Sequence, residues 1–146
     1  MSKVLVVYHT ISGNTEKAAE FIAKGAEEAA DEVVVKKAVD TDSEDLLSCD
    51  AIAVGTPDYF SYMAGMIKDF FDRTYYPTQG DVKGKPCITF VTHGGGGRAK
   101  DSIQGICETF EFDILSPPVM VKDSPDEQEQ QALREAGGQL AGAIES

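Results

Sequence analysis

Short apolar runs alternate with helix-like segments along this chain, and that alternation restricts the fold more than any other sequence feature. The runs are rich in valine and isoleucine, as expected for strands that are buried on both faces of a sheet. The predicted strands lie in residues 3–8, 33–39, 50–55, 86–92 and 111–121.

Apolar residues in the intervening segments recur at the spacing of an α-helix. In the first segment, Ala18, Ala19, Ile22, Ala23 and Ala26 share one face. The predicted helices span residues 16–28, 63–74, 98–110 and 124–144. Strands that alternate with helices predict an α/β fold, in which an open parallel sheet carries helices on both faces and each crossover is right-handed.

Some details of the sheet and its connections also follow from the sequence. The second strand carries Lys36 and Lys37, and its charge places it near a sheet edge. The Pro117–Pro118 pair interrupts the fifth strand, which is therefore expected to be irregular or at an edge. Residues 40–47 predict a polar connection with one helical turn, and Pro125 is expected at the first position of the last helix.

The turn between the first strand and the first helix has an unusual composition. Its residues are Thr10, Ile11, Ser12, Gly13, Asn14 and Thr15. A strand-to-helix turn leaves backbone N–H groups free at the helix N-terminus, where an anion can bind, and glycine permits a positive φ. The turn matches neither a P-loop nor the dinucleotide pattern. It predicts a site for one terminal phosphate or, alternatively, a helix capped by Ser12 or Asn14 without a ligand.

Length, charge and cysteine content exclude several classes of function. The 146 residues, of which 42% are hydrophobic, are expected to form one domain over residues 1–146. The net charge of −12 argues against nucleic acid and anionic membranes; it suits a basic protein partner or simply favours solubility. No apolar run could span a membrane and no signal peptide is recognisable, so a cytoplasmic location is expected. Cys49, Cys87 and Cys107 have no metal-binding spacing and are expected to be buried thiols.

Three loops at the carboxyl ends of predicted strands carry distinctive chemistry. They are residues 10–15, 56–62 and 92–98, and a parallel sheet brings such loops to one edge. The first offers donors for a phosphate, the second offers the aromatic residues Tyr59, Phe60 and Tyr62, and the third offers flexible glycine backbone. A phosphate site, a surface for a planar ring and a backbone that can bind a ring edge together indicate a mononucleotide flavin.

The string Thr10-Ile11-Ser12-Gly13-Asn14-Thr15 resembles the phosphate-binding loop of the flavodoxins, whose pattern is Thr/Ser-x-Thr/Ser-Gly-Asn-Thr. The resemblance extends over the whole chain. It implies FMN as the cofactor, with its phosphate at residues 10–15. It also implies a flavodoxin-like, three-layer, doubly wound sheet of five parallel strands in the order 2-1-3-4-5.

The other two loops resemble those of WrbA-type NAD(P)H:quinone oxidoreductases. The string Gly55-Thr56-Pro57-Asp58-Tyr59-Phe60, followed by Met63-Ala64-Gly65, is similar to their second flavin loop. The string Thr92-His93-Gly94-Gly95-Gly96-Gly97 is similar to their glycine-rich third loop. On this resemblance, Pro57, Asp58, Tyr59 and Phe60 would line one side of the flavin. Within the third loop, the backbone N–H groups of Thr92, His93, Gly94 and Gly97 would contact its pyrimidine edge.

Several of these residues also have purely structural interpretations. The aromatic residues of the second loop could belong to the core or face a partner, and Asp58 could be a solvated turn residue. His93 could cap a backbone group or act as a proton donor near the flavin. Tyr75 and Tyr76 could wall the outer side of the flavin or cover the sheet edge.

Two functions remain open on the sequence. The chain has no tryptophan, and it has glycine where short flavodoxins place a tyrosine, so one flavin face would be open to NAD(P)H or a quinone. This favours an FMN-dependent NAD(P)H:quinone oxidoreductase. The alternative is an electron carrier for a protein partner, without a substrate of its own. A phosphoacceptor receiver domain is disfavoured, because His9-Thr10 and Gly55-Thr56 stand where such domains need acids.

Overall fold

The apolar runs pair side by side in one parallel sheet. The structure is a computed structural model in which residues 1–144 are described. In chain order the strands are β1 (Lys3–Tyr8), β2 (Glu32–Lys37), β3 (Ala51–Tyr59), β4 (Tyr62–Met63), β5 (Pro86–His93), β6 (Asp113–Ile114) and β7 (Val119–Lys122). The helices are α1 (Asn14–Glu27), α2 (Ser43–Ser48), α3 (Gly65–Thr78), α4 (Ala99–Thr109) and α5 (Glu127–Gly142), with a 3-10 turn at Ala38–Asp40.

The order of the strands confirms the predicted doubly wound topology. The sheet runs β2-β1-β3-β5, and both β6 and β7 pair with the outer edge of β5. All of these pairings are parallel; in the centre of the sheet, Val6 lies between Val35 and Ala53. The predicted fourth strand is β5 and the predicted fifth is the pair β6 and β7, so the order corresponds to 2-1-3-4-5.

Side chains that alternate along the central strands build a separate core on each face of the sheet. On one face, Leu5 and Val7 of β1 pack in a cluster with Ile67, Phe70 and other buried residues of α3 and α4. On the other face, the alternate β1 residues Val4, Val6 and Tyr8 pack in a cluster with buried residues of α1 and α5. Because each strand is covered on both sides, nearly every residue of the central strands has to be apolar.

Glycine residues allow helices α1 and α5 to approach each other very closely. A Cβ atom added at Gly25 would lie 1.9 Å from the backbone oxygen of Arg134, and one added at Gly137 would lie 2.0 Å from that of Ile22. Such separations are far below van der Waals contact, so the two helices can pack this tightly only with glycine at both positions.

Several predicted boundaries were wrong. The third strand does not end at Gly55 but continues through residues 56–59 and turns back into β4, so the predicted loop 56–62 is mostly a hairpin. Helix α3 begins at Gly65 rather than Met63 and continues to Thr78 with Pro77 in its last turn. The last helix is capped by Asp126, so Pro125 precedes the cap instead of occupying the first helical position.

The expectations about the sheet edge, the proline pair and the cysteines are confirmed. Strand β2 lies at one edge of the sheet, and Pro117 and Pro118 separate β6 from β7. All three cysteines are free thiols and are buried. Among residues 1–144, no helix is long and apolar enough to cross a membrane.

The α1–α5 contact predicts the effect of adding a methyl group there. We expect Gly25→Ala to lower the free energy of unfolding by about 2 kcal/mol, because overpacking against rigid backbone outweighs the helix propensity that alanine gains. For a chain of this size, that loss corresponds to a fall of roughly 6 °C in the melting temperature. Thermal and chemical denaturation would measure both quantities.

Gly105→Ala in α4 is the matched control, because a Cβ atom there has no neighbour within 4 Å. We expect this variant to be more stable than the parent by about 0.5–1 kcal/mol, from helix propensity alone. Equal effects of the two substitutions would contradict the close helix contact.

Candidate functional site

The loop after β1, the β3–β4 hairpin and the loop after β5 meet at one edge of the sheet and enclose a cleft. Its volume is about 150 Å³. The residues that line it are Ser12, Asn14, Pro57, Asp58, Tyr59, Thr92, His93, Gly94 and Asp123. Larger grooves of about 380–410 Å³ lie elsewhere on the surface. We consider the smaller cleft the functional site, because it lies at the carboxyl ends of the strands where the sheet changes winding direction.

In the structure the first loop comprises residues 9–13, because Asn14 and Thr15 belong to α1. This loop leaves the N-terminus of α1 without a side-chain cap. Gly13 occupies the cap position with φ of +98°, and it has no side chain that could accept a hydrogen bond from the first helical turn. Thr10 Oγ1 instead accepts a bond of 2.9 Å from the Gly13 N–H, and Ser12 Oγ lies 3.5 Å from the Asn14 nitrogen. Neither Ser12 nor Asn14 therefore occupies the cap position, and Ser12 accepts only a long bond from the first helical N–H. An uncapped helix N-terminus of this kind can receive an anion.

A pair of hydroxyl groups joins the first loop region to the end of β5. Thr15 Oγ1 and Thr92 Oγ1 lie 2.7 Å apart, and both residues are buried. A hydrogen bond between two buried hydroxyls holds its partners firmly, because neither can exchange it for water. The start of α1 and the start of the third loop, residues 94–98, are thus held in a fixed relative position.

The β3–β4 hairpin forms the second wall of the cleft and is anchored at its base. Thr56 is buried; its Oγ1 accepts a hydrogen bond from the Ala64 N–H and donates one to the Pro57 carbonyl. Ser102 Oγ, on α4, accepts a bond of 2.9 Å from the Met63 N–H. These bonds hold both strands of the hairpin against the rest of the fold.

The tip of the hairpin adopts a turn that glycine or asparagine would ordinarily occupy. Phe60 and Ser61 have φ values of +55° and +65°, which correspond to the left-handed pair of a type I′ turn. Phe60 is also fully exposed to solvent. A bulky side chain in a left-handed conformation is disfavoured, so the exposed ring and its backbone are both unusual features beside the cleft.

Two aromatic side chains meet next to the tip of the hairpin, where Tyr59 directly precedes the turn. The rings of His9 and Tyr59 lie edge to face, with centroids 6.1 Å apart. Partial burial lowers the pKa of His9 and raises the pKa of Tyr59. Both shifts favour the uncharged form at neutral pH, so this pair gives the cleft an uncharged aromatic border.

The glycine-rich third loop is held by side chains on both of its sides. The Gly95 N–H donates a bond of 3.0 Å to His93 Nδ1, and the Gly97 N–H donates one of 2.9 Å to Asp58 Oδ2. His93 therefore caps a backbone group, as one interpretation predicted. The Gly97 N–H, which was expected to face a flavin, is already bonded to Asp58.

The predicted site residues thus fall into three groups. Eight of them line the cleft: Ser12, Asn14, Pro57, Asp58, Tyr59, Thr92, His93 and Gly94. Ile11 and Phe60 project into solvent at its border. The remaining six shape the loops without lining the cleft: Thr10, Gly13, Thr15, Gly95, Gly96 and Gly97. Whether these residues contact a flavin stays a prediction.

One lining residue was not predicted. Asp123 follows β7 and has φ of +58°, and its N–H donates a bond of 2.8 Å to the His93 carbonyl. The sequence did contain a signal for it, because the turn after the fifth strand must also lie at the carboxyl edge of a parallel sheet.

Tyr75 and Tyr76 are not part of this site. They lie about 15 Å along α3 from its start at the hairpin, which places them toward the opposite edge of the sheet. There the Tyr75 ring packs against Phe110 with centroids 5.1 Å apart. Tyr75 thus packs against the core cluster on one face of the sheet, whereas Tyr76 is exposed to solvent. The described residues also contain no cluster of ligands that could hold a metal ion.

Comparisons with known proteins identify relatives along most of the chain. A probable flavodoxin 2 from Bacillus subtilis is 34% identical and covers 97% of this chain and 95% of its own length. A flavodoxin from Aquifex aeolicus is 31% identical, with 97% and 86% covered. A flavodoxin structure from the domain Archaea superposes with a TM-score of 0.89 at 26% identity, with 97% of this chain and 98% of the other covered.

Two further matches correspond to the WrbA resemblance. An NAD(P)H dehydrogenase (quinone) from Archaeoglobus fulgidus is 32% identical over 99 residues, which are 51% of this chain and 52% of that protein. A WrbA-like flavodoxin structure from Agrobacterium tumefaciens has a TM-score of 0.84 at 21% identity and covers 99% of this chain and 98% of its own. At this identity, the second match supports the fold alone.

The flavodoxin family pattern itself matches residues 6–137, which include all three loops of the cleft. Together with the full-length relatives, this match also supports an FMN-binding redox protein. The chain belongs to the flavodoxin family and has FMN as its cofactor.

Proposed function

We propose that FMN binds with its phosphate at the first loop and its ring between the β3–β4 hairpin and the third loop. The uncapped N-terminus of α1 supports the phosphate position, because its free N–H groups and helix dipole favour an anion. Ser12 and Asn14, which line the cleft there, are uncharged donors. Although the chain carries a net charge of −12, its backbone N–H groups would thus provide the positive partial charges that contact the phosphate.

We further propose that the protein is an electron carrier that docks to a redox partner through the border of this cleft. The observation that carries this proposal is Phe60, a fully exposed aromatic ring held in a left-handed turn beside the site. A disfavoured backbone conformation beside a functional site points to a functional role, and aromatic residues are enriched in protein interfaces. The acidic net charge suits a basic partner, whose approach it would accelerate.

Bound FMN supplies one- and two-electron chemistry, and the residues of this chain position it and limit its access to water. The buried Thr15–Thr92 pair would hold the phosphate and ring regions at a constant separation. The hairpin and the Asp58–Gly97 bond would fix the width of the ring slot. A site fixed in this way changes little when an electron arrives, which suits electron transfer.

An NAD(P)H:quinone oxidoreductase is the second candidate function. It is favoured by the third loop, in which Gly94–Gly97 present no side chain that could cover a ring, and by the partial relative that is named as a quinone dehydrogenase.

The cytoplasmic location and the single domain over residues 1–146 also remain predictions; the last two residues lie outside those that the structure describes.

The phosphate position can be tested by removing one hydroxyl group. We expect Ser12→Ala to weaken FMN binding about tenfold, because a hydrogen bond to a charged group contributes roughly 1.5 kcal/mol. Riboflavin, which lacks the phosphate, should bind the variant as it binds the parent. Titration of the apoprotein by flavin fluorescence would give both dissociation constants.

Ser116→Ala, outside the cleft, is the control and should leave both constants unchanged. Equal losses for FMN and riboflavin would show that Ser12 lies at the ring rather than at the phosphate.

The carrier proposal predicts electron transfer to a basic protein without a nicotinamide. Photoreduced, FMN-loaded protein should reduce cytochrome c, a basic one-electron acceptor, and the rate should fall steeply as salt rises from about 0.01 M to about 1 M. Phe60→Ser should slow the reaction several-fold at every salt concentration while changing FMN affinity less than twofold. Stopped-flow absorbance under anaerobic conditions would measure the rates.

The same instrument separates the two candidate functions. If NADH or NADPH bleaches the bound flavin rapidly and a quinone restores its colour, the protein is an oxidoreductase and the carrier proposal is wrong. A flavin that nicotinamides leave oxidised, but that cytochrome c reoxidises after photoreduction, supports the carrier.

A further inference from the structure

A second recess, larger than the cofactor cleft, lies between the start of α4 and the segment that joins β6 to β7. Its volume is about 380 Å³, against about 150 Å³ for the cleft, and none of the described residues lines both. One of its walls is formed mainly by the apolar residues Ile114, Leu115, Pro117 and Pro118. A recess of this size, in which an apolar wall faces a few polar groups, is the usual form of a small-molecule site. We refer to it as the α4 groove.

The opposite wall contains a buried acceptor that lacks a donor. Gln104 Oε1, in the second turn of α4, has no hydrogen-bond partner among the described residues, although solvent does not reach it. Such an acceptor is destabilising and rare in folded proteins. The amide group rotates easily about its last side-chain bond, so this oxygen can turn into the groove when a donor arrives. A ligand that satisfies it must carry an N–H or O–H group.

A positive charge on the same wall is also unpaired. Lys100 is the second residue of α4, where the helix dipole disfavours a cation. Within residues 1–144, its ammonium group forms no ion pair. Asp101 also lines the groove, but an acid in the first turn is favoured by the same dipole and thus stabilises the helix itself. Lys100 has no such role, so its charge complements an anionic group on a ligand.

Lys100 and Gln104 define the spacing of the two groups that a ligand has to present. They are four residues apart, so their side chains lie next to each other on one face of α4, with Cβ atoms about 5–6 Å apart. A carboxylate and a hydroxyl at opposite positions of a benzene ring span a comparable distance. The flat ring can then pack against the apolar wall, because proline rings such as those of Pro117 and Pro118 are favourable partners for aromatic rings.

We propose that the α4 groove binds a small aromatic carboxylate that carries a hydroxyl group opposite the carboxylate. The carboxylate pairs with the Lys100 ammonium, the hydroxyl donates to Gln104 Oε1, and the ring lies against the apolar wall. Because the groove and the cofactor cleft have no described lining residue in common, this site is independent of where FMN binds.

The hydrogen bond is tested with three small probes on the ¹⁵N-labelled, FMN-loaded protein. 4-Hydroxybenzoate has both groups, 4-methoxybenzoate cannot donate, and phenol has no carboxylate. We expect 4-hydroxybenzoate to give saturable chemical-shift changes in residues 100–118, with a dissociation constant at least fivefold lower than that of either other probe. In Gln104→Met, which keeps the length of the side chain but removes the acceptor, the two benzoates should bind within twofold of each other.

The charge is tested separately with the same probes. We expect Lys100→Met to weaken the binding of both benzoates three- to fivefold and to change the binding of phenol less than twofold. Lys37→Met is the matched control, because it removes the same charge from β2 at the opposite edge of the sheet. It should leave all three dissociation constants unchanged.

Each of three results overturns the proposal. Absence of a saturable shift in residues 100–118, or shifts centred on residues 12–15 and 57–59, would show that the probe does not bind in the groove. A parent protein that binds the two benzoates equally would show that no hydroxyl donor is recognised, whatever the variants do. Equal losses in Lys100→Met and Lys37→Met would show that the net charge of the protein, rather than the Lys100 ammonium, governs binding.

Discussion

The parallel pairing of β1, β3 and β5 is the constraint on which the rest of the molecule depends. Because these strands run in one direction and are buried on both faces, each must be followed by a crossover that covers the sheet. The loops that begin those crossovers then lie side by side at one edge. Three segments that are distant in sequence form a cleft of about 150 Å³ for this reason.

The site relies on backbone groups and hydroxyls, with few charges. The first loop binds its own backbone through Thr10 and leaves the start of α1 open, while Thr15 and Thr92 share a buried hydrogen bond. Asp58 connects the hairpin to the third loop. In the proposed FMN site, neutral donors would hold the phosphate without bringing a cation near the ring, so acidic residues such as Asp58 and the helix dipole would set the electrostatic environment of the flavin.

Two basic residues away from the cleft, Lys85 and Arg73, stabilise connections between helices and strands. Lys85, which precedes β5, donates hydrogen bonds to the carbonyls of Leu46 and Leu47 at the end of α2. Arg73 on α3 donates to the carbonyls of Ala38 and Thr41 around the 3-10 turn. Cations at such carbonyl ends are favourable, because they satisfy acceptors that a helix leaves unpaired. The chain as a whole is acidic because its 25 Asp and Glu residues outnumber its 13 Lys and Arg residues, which suits the proposed basic partner.

The sequence by itself determined the α/β class and the first loop, because hydrophobic periodicity and a strand-glycine-helix turn are local properties of the chain. The strand order followed only from the resemblance to the flavodoxins. It also identified eight of the residues that line the cleft. Only the tertiary structure decided that residues 56–63 form a hairpin, that Phe60 faces solvent and that Asp123 joins the site. It likewise decided that Gly97 is bonded to Asp58 and that Asp58 Oδ1 has no donor. The contacts of Asp123 and Asp58 join segments distant in sequence, and no local pattern encodes the pairing of a carboxyl group with an amide 39 residues away.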